Sequence, residues 1–183
     1  VMIAPADSAL ITGGSEERRH FMDMVIMQYN AVYLDSLIRY ERALKQRNTL
    51  LKQEAEPDEA VMDVIEAMMS ETGEVIYNER KRFVEEFQPI FLDLYRRLAG
   101  NVTEEVAMSY VSHGERGDLQ SQLRDWRQRE RIVGYSLHGV HKDDLDLTLN
   151  GFAVKREASQ GQQKTYFIAM KLAQYVFLKN KGE

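Results

Sequence analysis

The residues with the clearest chemical potential form a short polar run, Ser159-Gln160-Gly161-Gln162-Gln163, directly ahead of an apolar helical segment. Serine is a good helix N-cap, glycine permits close backbone approach, and the first N–H groups of a helix point outward without intrahelical acceptors. Such a turn can receive an anion, phosphate above all. The same pattern also suits an ordinary cap on a buried helix, and the residues alone leave both readings open. Gly161-Gln162-Gln163-Lys164-Thr165 echoes the end of a P-loop, but a P-loop requires glycine directly before the lysine and another upstream. Those places hold Gln163 and Ala158, so a phosphate cradle of that kind is excluded.

Other groupings carry weaker signals. Asp144, Asp146 and Asn150 before Gly151 resemble a calcium loop, yet the glycine falls at position eight rather than six and leucines alternate between the oxygens. An amphipathic strand accounts for them better. His138 and His141 lie near Asp143 and Asp144, but no spacing rule singles them out as metal ligands. Basic residues around Trp126 suit phosphate contact with the indole stacking on a base, or a solvated face with Trp126 in the core. The methionines sit at helical spacing as core filler. Four histidines in separate segments assemble no nucleophilic triad.

A chain of 183 residues, 44% hydrophobic and 29% charged, is one folding unit or a piece of one. No apolar run approaches the roughly 20 residues of a membrane span. With no cysteine there is no disulfide framework or thiolate site, which suits a reducing compartment, and the cytoplasm is the expected location. A net charge of -5 disfavours a uniformly basic surface but permits local clusters at Arg18-Arg19 and Arg124 to Arg131. Val1 to Ala4 read as the tail of a strand rather than a signal peptide.

Ser15 is expected to cap a helix whose apolar stripe runs Phe21, Val25, Tyr29, Tyr33, Leu37, Tyr40 and Leu44, with a break near Asn30. Pro57 opens a second helix with the stripe Val61, Ile65, Met68, Thr72, Ile76, Phe83, Phe87, Ile90, Leu94 and Leu98, with weak points at Gly73 and Pro89. Two such helices with a short link predict an antiparallel hairpin on the order of 50 Å long. "EVAMSYVS" reads as a short strand, and "DLQSQLRDWRQRER" as a helix with Leu119, Leu123 and Trp126 on one face. "RIVGYSLHG" and "DLDLTLNGFAVKR" alternate as strands, and Asn150-Gly151 is a strong hairpin signal. The expected class is mainly α with a small β portion.

Five ordered motifs resemble the RecF family of bacterial recombination mediators, ABC-type ATPases related to the SMC proteins. "SQGQQKTYFIAMKLAQ" is similar to that family's signature motif, with its Ser-x-Gly-Gln core. "APAD" at Ala4 to Asp7, "GGSEERRHFMD", "YERALKQRNTLLK" and "HGVHKDDLDLTLNG" match further family segments in order. Val140 and Lys142 replace the family's usual proline and arginine, and Ser15 a frequent proline. A working member also needs an upstream P-loop and, after the signature helix, an apolar strand ending in acidic residues. This sequence has neither, and so resembles a middle segment: residues 1–14 joining the nucleotide-binding lobe, 15–130 a helical lobe of an ABC-type ATPase, 131–183 a β-hairpin and signature helix.

That resemblance implies an intact protein that binds ATP with Mg2+ and forms an ATP-dependent homodimer. In it Ser159, Gln160, Gly161 and Gln162 would contact the partner subunit's ATP. It implies further that the protein binds DNA at single-strand gaps and junctions and works with RecR and RecO to load recombinase. Candidates for DNA contact are Arg18, Arg19, Arg124, Arg127 and Arg129. No activity is expected of this chain alone, and no resident metal. Phe167, Ile168, Met170, Leu172, Val176 and Phe177 occupy more than one face of the last helix and are expected to need covering by the absent lobe. Two rival readings are a freestanding helical-hairpin interaction module and the arm of another SMC-like ATPase.

Overall fold

The computed structural model describes residues 8–100 and 103–182. The expected strand at the start of the chain, with the "APAD" motif, lies outside them. The described chain is mainly helical with a small antiparallel sheet: α1 Ala9–Thr12, α2 Ser15–Met27, α3 Ala31–Lys52, α4 Glu59–Ala99, β1 Val106–Val111, α5 Leu119–Val133, β2 Asp144–Leu149, β3 Phe152–Ala153, α6 Val154–Glu157 and α7 Gln160–Lys181. It forms two compact units. The first combines residues 1–29, 80–111 and 144–183; the second combines 30–79 and 112–143, so α4 contributes to both.

In the first unit the sheet order is β1-β2-β3, all antiparallel, with Val106 opposite Leu149 and Tyr110 opposite Leu145. Leu145, Leu147 and Leu149 are buried while Asp146 faces water, the alternation of a half-buried strand. Asn150 and Gly151 turn with φ of 52° and 81°, as a type I′ hairpin requires. β3 is only two residues long because α6 starts at Val154. Phe21, Phe83, Phe87 and Phe177 form one aromatic cluster, and Phe91, Tyr95 and Tyr166 another.

The core stripe of α4 differs from the expected one at its first turn and beyond Phe87. Phe91 and Tyr95 are buried, whereas Val61 and Leu98 are nearly half exposed. Two adjacent apolar rows compete in this sequence, and the aromatic pair takes the inside. Gly73 and Pro89 lie within one uninterrupted helix, Pro89 on an exposed position. α7 also departs from expectation: Phe167, Met170 and Phe177 are buried within the unit, Ile168, Leu172 and Val176 are half-buried, and Tyr175 is the large apolar residue left at 68% exposure. Much of the apolar surface expected to await a missing lobe is already covered here.

In the second unit α3 begins at Asn30, whose side chain accepts from the Tyr33 N–H at 3.0 Å. This N-cap is the physical cause of the break expected there. The preceding helix starts on Gly14, and Ser15 serves instead as acceptor for Arg19 at 2.8 Å. α3 and the start of α4 run antiparallel: Arg47 reaches Glu66, and Tyr40 packs by Gly73. Residues 131–139 are not the expected strand. α5 runs on to Val133 and stops at Gly134, whose φ of 84° is a left-handed cap donating to Glu130 O. Ile132 is then 86% exposed while Ser136 and His138 are buried, the reverse of the predicted apolar face.

Candidate functional site

The Ser159 turn is built from both ends. Ser159 is the N-cap of α7 in a reciprocal box: the Gln162 N–H donates to Ser159 Oγ at 3.1 Å, and the Ser159 N–H donates to Gln162 Oε1 at 2.8 Å. Gln162 Nε2 donates to Glu104 Oε1 at 2.7 Å, and the Tyr95 hydroxyl donates to Glu104 Oε2 at 2.6 Å. Burial, then the Glu104 contact, pushes the Tyr95 phenol up, so it stays a donor. Gln163 Nε2 reaches the carbonyls of Val154, Lys155 and Ala158 and ties α6 to the start of α7. Tyr166, held protonated chiefly by burial, donates to Ala107 O at 2.7 Å and anchors α7 on β1.

Ser159, Gln160 and Gly161 are exposed. A hydroxyl that accepts one N–H keeps its own proton to donate outward. The N–H groups of Gln160 and Gly161, in the first turn, have no intrahelical acceptors. A Cβ at Gly161 would meet nothing closer than Ser159 Oγ at 3.9 Å, and the residue is helical. Nothing in the fold requires glycine there, although glycine costs a helix about 0.5–1 kcal/mol relative to alanine. The turn is therefore chemically suited to an anion approaching close to the backbone.

The five arginines singled out from sequence have different settings. Arg18 is largely buried, donating to both Asp144 oxygens at 2.7 and 3.3 Å and to Gly13 O at 2.8 Å. Arg127 is 15% exposed and held by Asp63 and Glu66. Arg19 bonds Ser15; Arg124 pairs with Asp63 while remaining 57% exposed; Arg129 is exposed, its guanidinium 4.5 Å over the Trp126 ring. The histidines considered as ligands are otherwise engaged or apart. His141 donates from Nε2 to Ser136 O at 2.9 Å, which leaves Nδ1 to accept the Tyr40 hydroxyl at 2.8 Å. Among the described residues no group of three or more acidic or histidine side chains is arranged to hold a metal.

Sequence reasoning missed the most deeply buried polar cluster. Arg47 is fully buried and donates to Glu66 at 3.0 Å, Ser136 Oγ at 2.7 Å, Leu123 O at 2.8 Å and Glu130 at 3.0 Å. Glu66 and Glu130 are equally buried, and Glu130 also accepts the Leu137 N–H. Asn48 accepts both the N–H and the hydroxyl of Ser136 at 2.8 Å. The motif contacts fall into two sets. In the second unit, "YERALKQRN" meets the residues around Ser136 and His141 through Tyr40, Arg47 and Asn48. In the first, Arg18 of the "GGSEERRHFMD" segment meets Asp144. Gly139, at φ 135°, lies where a Cβ would fall 2.1 Å from the Tyr40 hydroxyl, so the Tyr40–His141 bond depends on glycine there.

No family model matches the chain. DNA replication and repair protein RecF of Bacteroides fragilis is 52% identical over 182 residues, covering 100% of this chain and 49% of that protein. RecF of Phocaeicola vulgatus is 53% identical with the same coverage, and RecF of Porphyromonas gingivalis 47% identical over 96% of this chain and 48% of its own length. Two solved structures of the recombination mediator protein RecF in the RecFOR pathway, RecF-ATP and RecF-ATPrS, share the fold with TM-scores of 0.90 and 0.89. They are 23% and 22% identical, and the match covers 100% and 99% of this chain and 51% of each of theirs. The chain spans about half the length of the curated relatives it matches. Over 96–100% of its length the chain is similar, at 47–53% identity, to these RecF proteins.

Proposed function

We propose that this segment supplies the in-trans half of an ATP site in a RecF-type DNA repair protein. Ser159, Gln160, Gly161 and Gln162 face the terminal phosphate of ATP held by the P-loop of a second subunit. The observation that carries the reading is the exposed, internally braced turn with a glycine that no internal contact requires. Neutral hydroxyl and N–H donors at a positive helix end suit a phosphate oxygen, and ATP with its Mg2+ acts as the link between subunits. Nucleotide binding is thereby read out as homodimer formation. The RecF-ATP structure supports nucleotide binding by the intact family member.

In the same reading the intact protein works in the cytoplasm, binds DNA at single-strand gaps and junctions, and acts with RecR and RecO in loading recombinase. Of the five candidate arginines, Arg124 and Arg129 keep the exposure that phosphate contact needs, whereas Arg18 and Arg127 are committed to internal carboxylates. The test is Ser159→Arg in the intact protein, followed by light scattering with and without ATP. ATP-driven dimerisation is expected to disappear while each monomer still binds nucleotide. Dimerisation equal to wild type would overturn the proposal.

A further inference from the structure

α5 carries two kinds of cation. Arg124, Arg127 and Arg131 each have a carboxylate partner, in Asp63, Glu66 or Glu56. Among the described residues Arg129 on the same helix has none, nor do Arg116 and Lys142 on the neighbouring turns. These three exposed cations surround a row of rings. The Arg129 guanidinium lies 4.5 Å over Trp126; Trp126 and His138 have centroids 4.4 Å apart, and His138 and His113 5.2 Å. Arg116 and Lys142 both act electrostatically on His113, and the Lys142 ammonium lies 5.5 Å over Tyr135, itself 44% exposed.

Of the acidic residues on these segments, Glu130 is bound to Arg47, Glu115 accepts the Tyr77 hydroxyl, Asp118 accepts from Ser121, and Asp125 is exposed. At His113, burial first and then the charges of Arg116, His138 and Lys142 push the imidazole down to about 4, whereas at His138 burial lowers it and the Glu130 charge acts the other way. Three exposed cations without a carboxylate partner among the described residues thus lie beside flat rings.

We propose that this surface, formed by Arg116, Arg129, Lys142, Trp126, His113 and Tyr135, binds single-stranded nucleic acid. The cations take the backbone phosphates. An unpaired base stacks on the outer face of the Arg129 guanidinium, backed by Trp126, and another on Tyr135. Cations alone would suit any phosphate, duplex included; the exposed ring and stacked guanidinium favour a strand whose bases are free. The proposal rests on the DNA-binding reading above and names where and in which form the strand is held.

The experiment uses the full-length protein and a labelled oligothymidylate of roughly fifteen nucleotides, within the site size of single-strand binders. Binding is read by fluorescence anisotropy across a salt series. The variant Arg116→Gln/Arg129→Gln/Lys142→Gln is expected to weaken binding at least about tenfold and to lower the salt slope by about 2, at roughly 0.7 per lost phosphate contact on single strands. ATP-driven dimerisation and binding of a duplex of equal length should stay within about twofold. The single variant Arg129→Gln is expected to lose about threefold with the fold intact by circular dichroism. Unchanged oligothymidylate affinity overturns the proposal, as does an equal loss on duplex, which would reduce the surface to a phosphate contact. Lost retention of RecR or RecO with single-strand binding intact also overturns it and assigns the surface to a protein partner. Wild-type protein that binds duplex but no single strand overturns this inference alone; protein that binds neither overturns the DNA-binding reading with it.

Discussion

Replacing Arg47 by methionine isolates the buried cluster of the second unit. Methionine is similar in length and fills most of the same space, so the cavity contribution is small. The loss is electrostatic. Glu66 retains Arg127, but Glu130, at 0% side-chain exposure, loses its close cation and keeps the Leu137 N–H, with His138 Nδ1 4.0 Å away. Removing one partner of a buried pair costs about 3–5 kcal/mol, a large fraction of the roughly 5–15 kcal/mol that holds a domain together. The assay is urea unfolding followed by the fluorescence of Trp126, the chain's single tryptophan, on α5 in the same unit. Arg47→Met should lose about 3–5 kcal/mol, and Arg47→Met/Glu130→Leu should recover at least ~1.5 kcal/mol, because the uncompensated charge is gone. A loss below ~1 kcal/mol, or strict additivity in the double variant, would refute the reasoning.

Gly161→Ala separates fold from function at the turn. Its Cβ enters open space, so the chain should gain up to about 1 kcal/mol in thermal unfolding, while the intact protein's ATP-driven dimerisation weakens; unchanged dimerisation would remove the glycine from the argument. Acid should destabilise the second unit in a defined window. His113 ordinarily titrates near 6.5 and is held down to about 4, so the unfolded chain binds more protons between those values. Stability contributed by the neutral form is intact above about pH 6.5 and is lost as pH falls towards about 4. His113→Gln should flatten the pH dependence of the urea midpoint across that window, and an unaltered profile would contradict it.

Local chemistry that depends on a few adjacent residues was legible in the sequence. Asn150-Gly151 specifies its own turn, and Ser159 caps α7 because serine three residues before Gln162 completes a reciprocal box. The break at Asn30 and the helices on either side of Pro57 follow from caps and periodicity. What failed depends on competition across distance. The alternation in residues 131–139 looks like a strand, but helix propagation to Gly134 and burial of Ser136 against Arg47 and Asn48 outweigh it. Likewise, periodicity cannot choose between the Ile90/Leu94 and Phe91/Tyr95 rows of α4; packing against Tyr166 does.

The candidate site was legible as a cap but not as a braced one. Glu104 gives no local signal of its link to Gln162 and Tyr95, because the three come together only when β1 packs beside α7. The same holds for Arg47. Its place in "YERALKQRNTLLK" suggests an exposed helix charge, and nothing in the nearby sequence announces that Glu66 and Glu130 will meet it in the interior. Among the arginines, the pairing with Asp63, Glu66 and Asp144 decides which remain available to a ligand.

The central claim is that the Ser159 turn acts on a nucleotide held by another subunit. It is tested most directly by mixing two inactive variants of the intact protein: Ser159→Arg with a working P-loop, and a P-loop variant with a working Ser159 turn. Each is expected to lack ATP hydrolysis alone. Neither variant links to itself through ATP, whereas a mixed pair carries one complete site out of two, so an equimolar mixture should recover up to about half of wild-type activity. A mixture as inactive as its parts, with both variants folded and Ser159→Arg still binding nucleotide, would contradict the account.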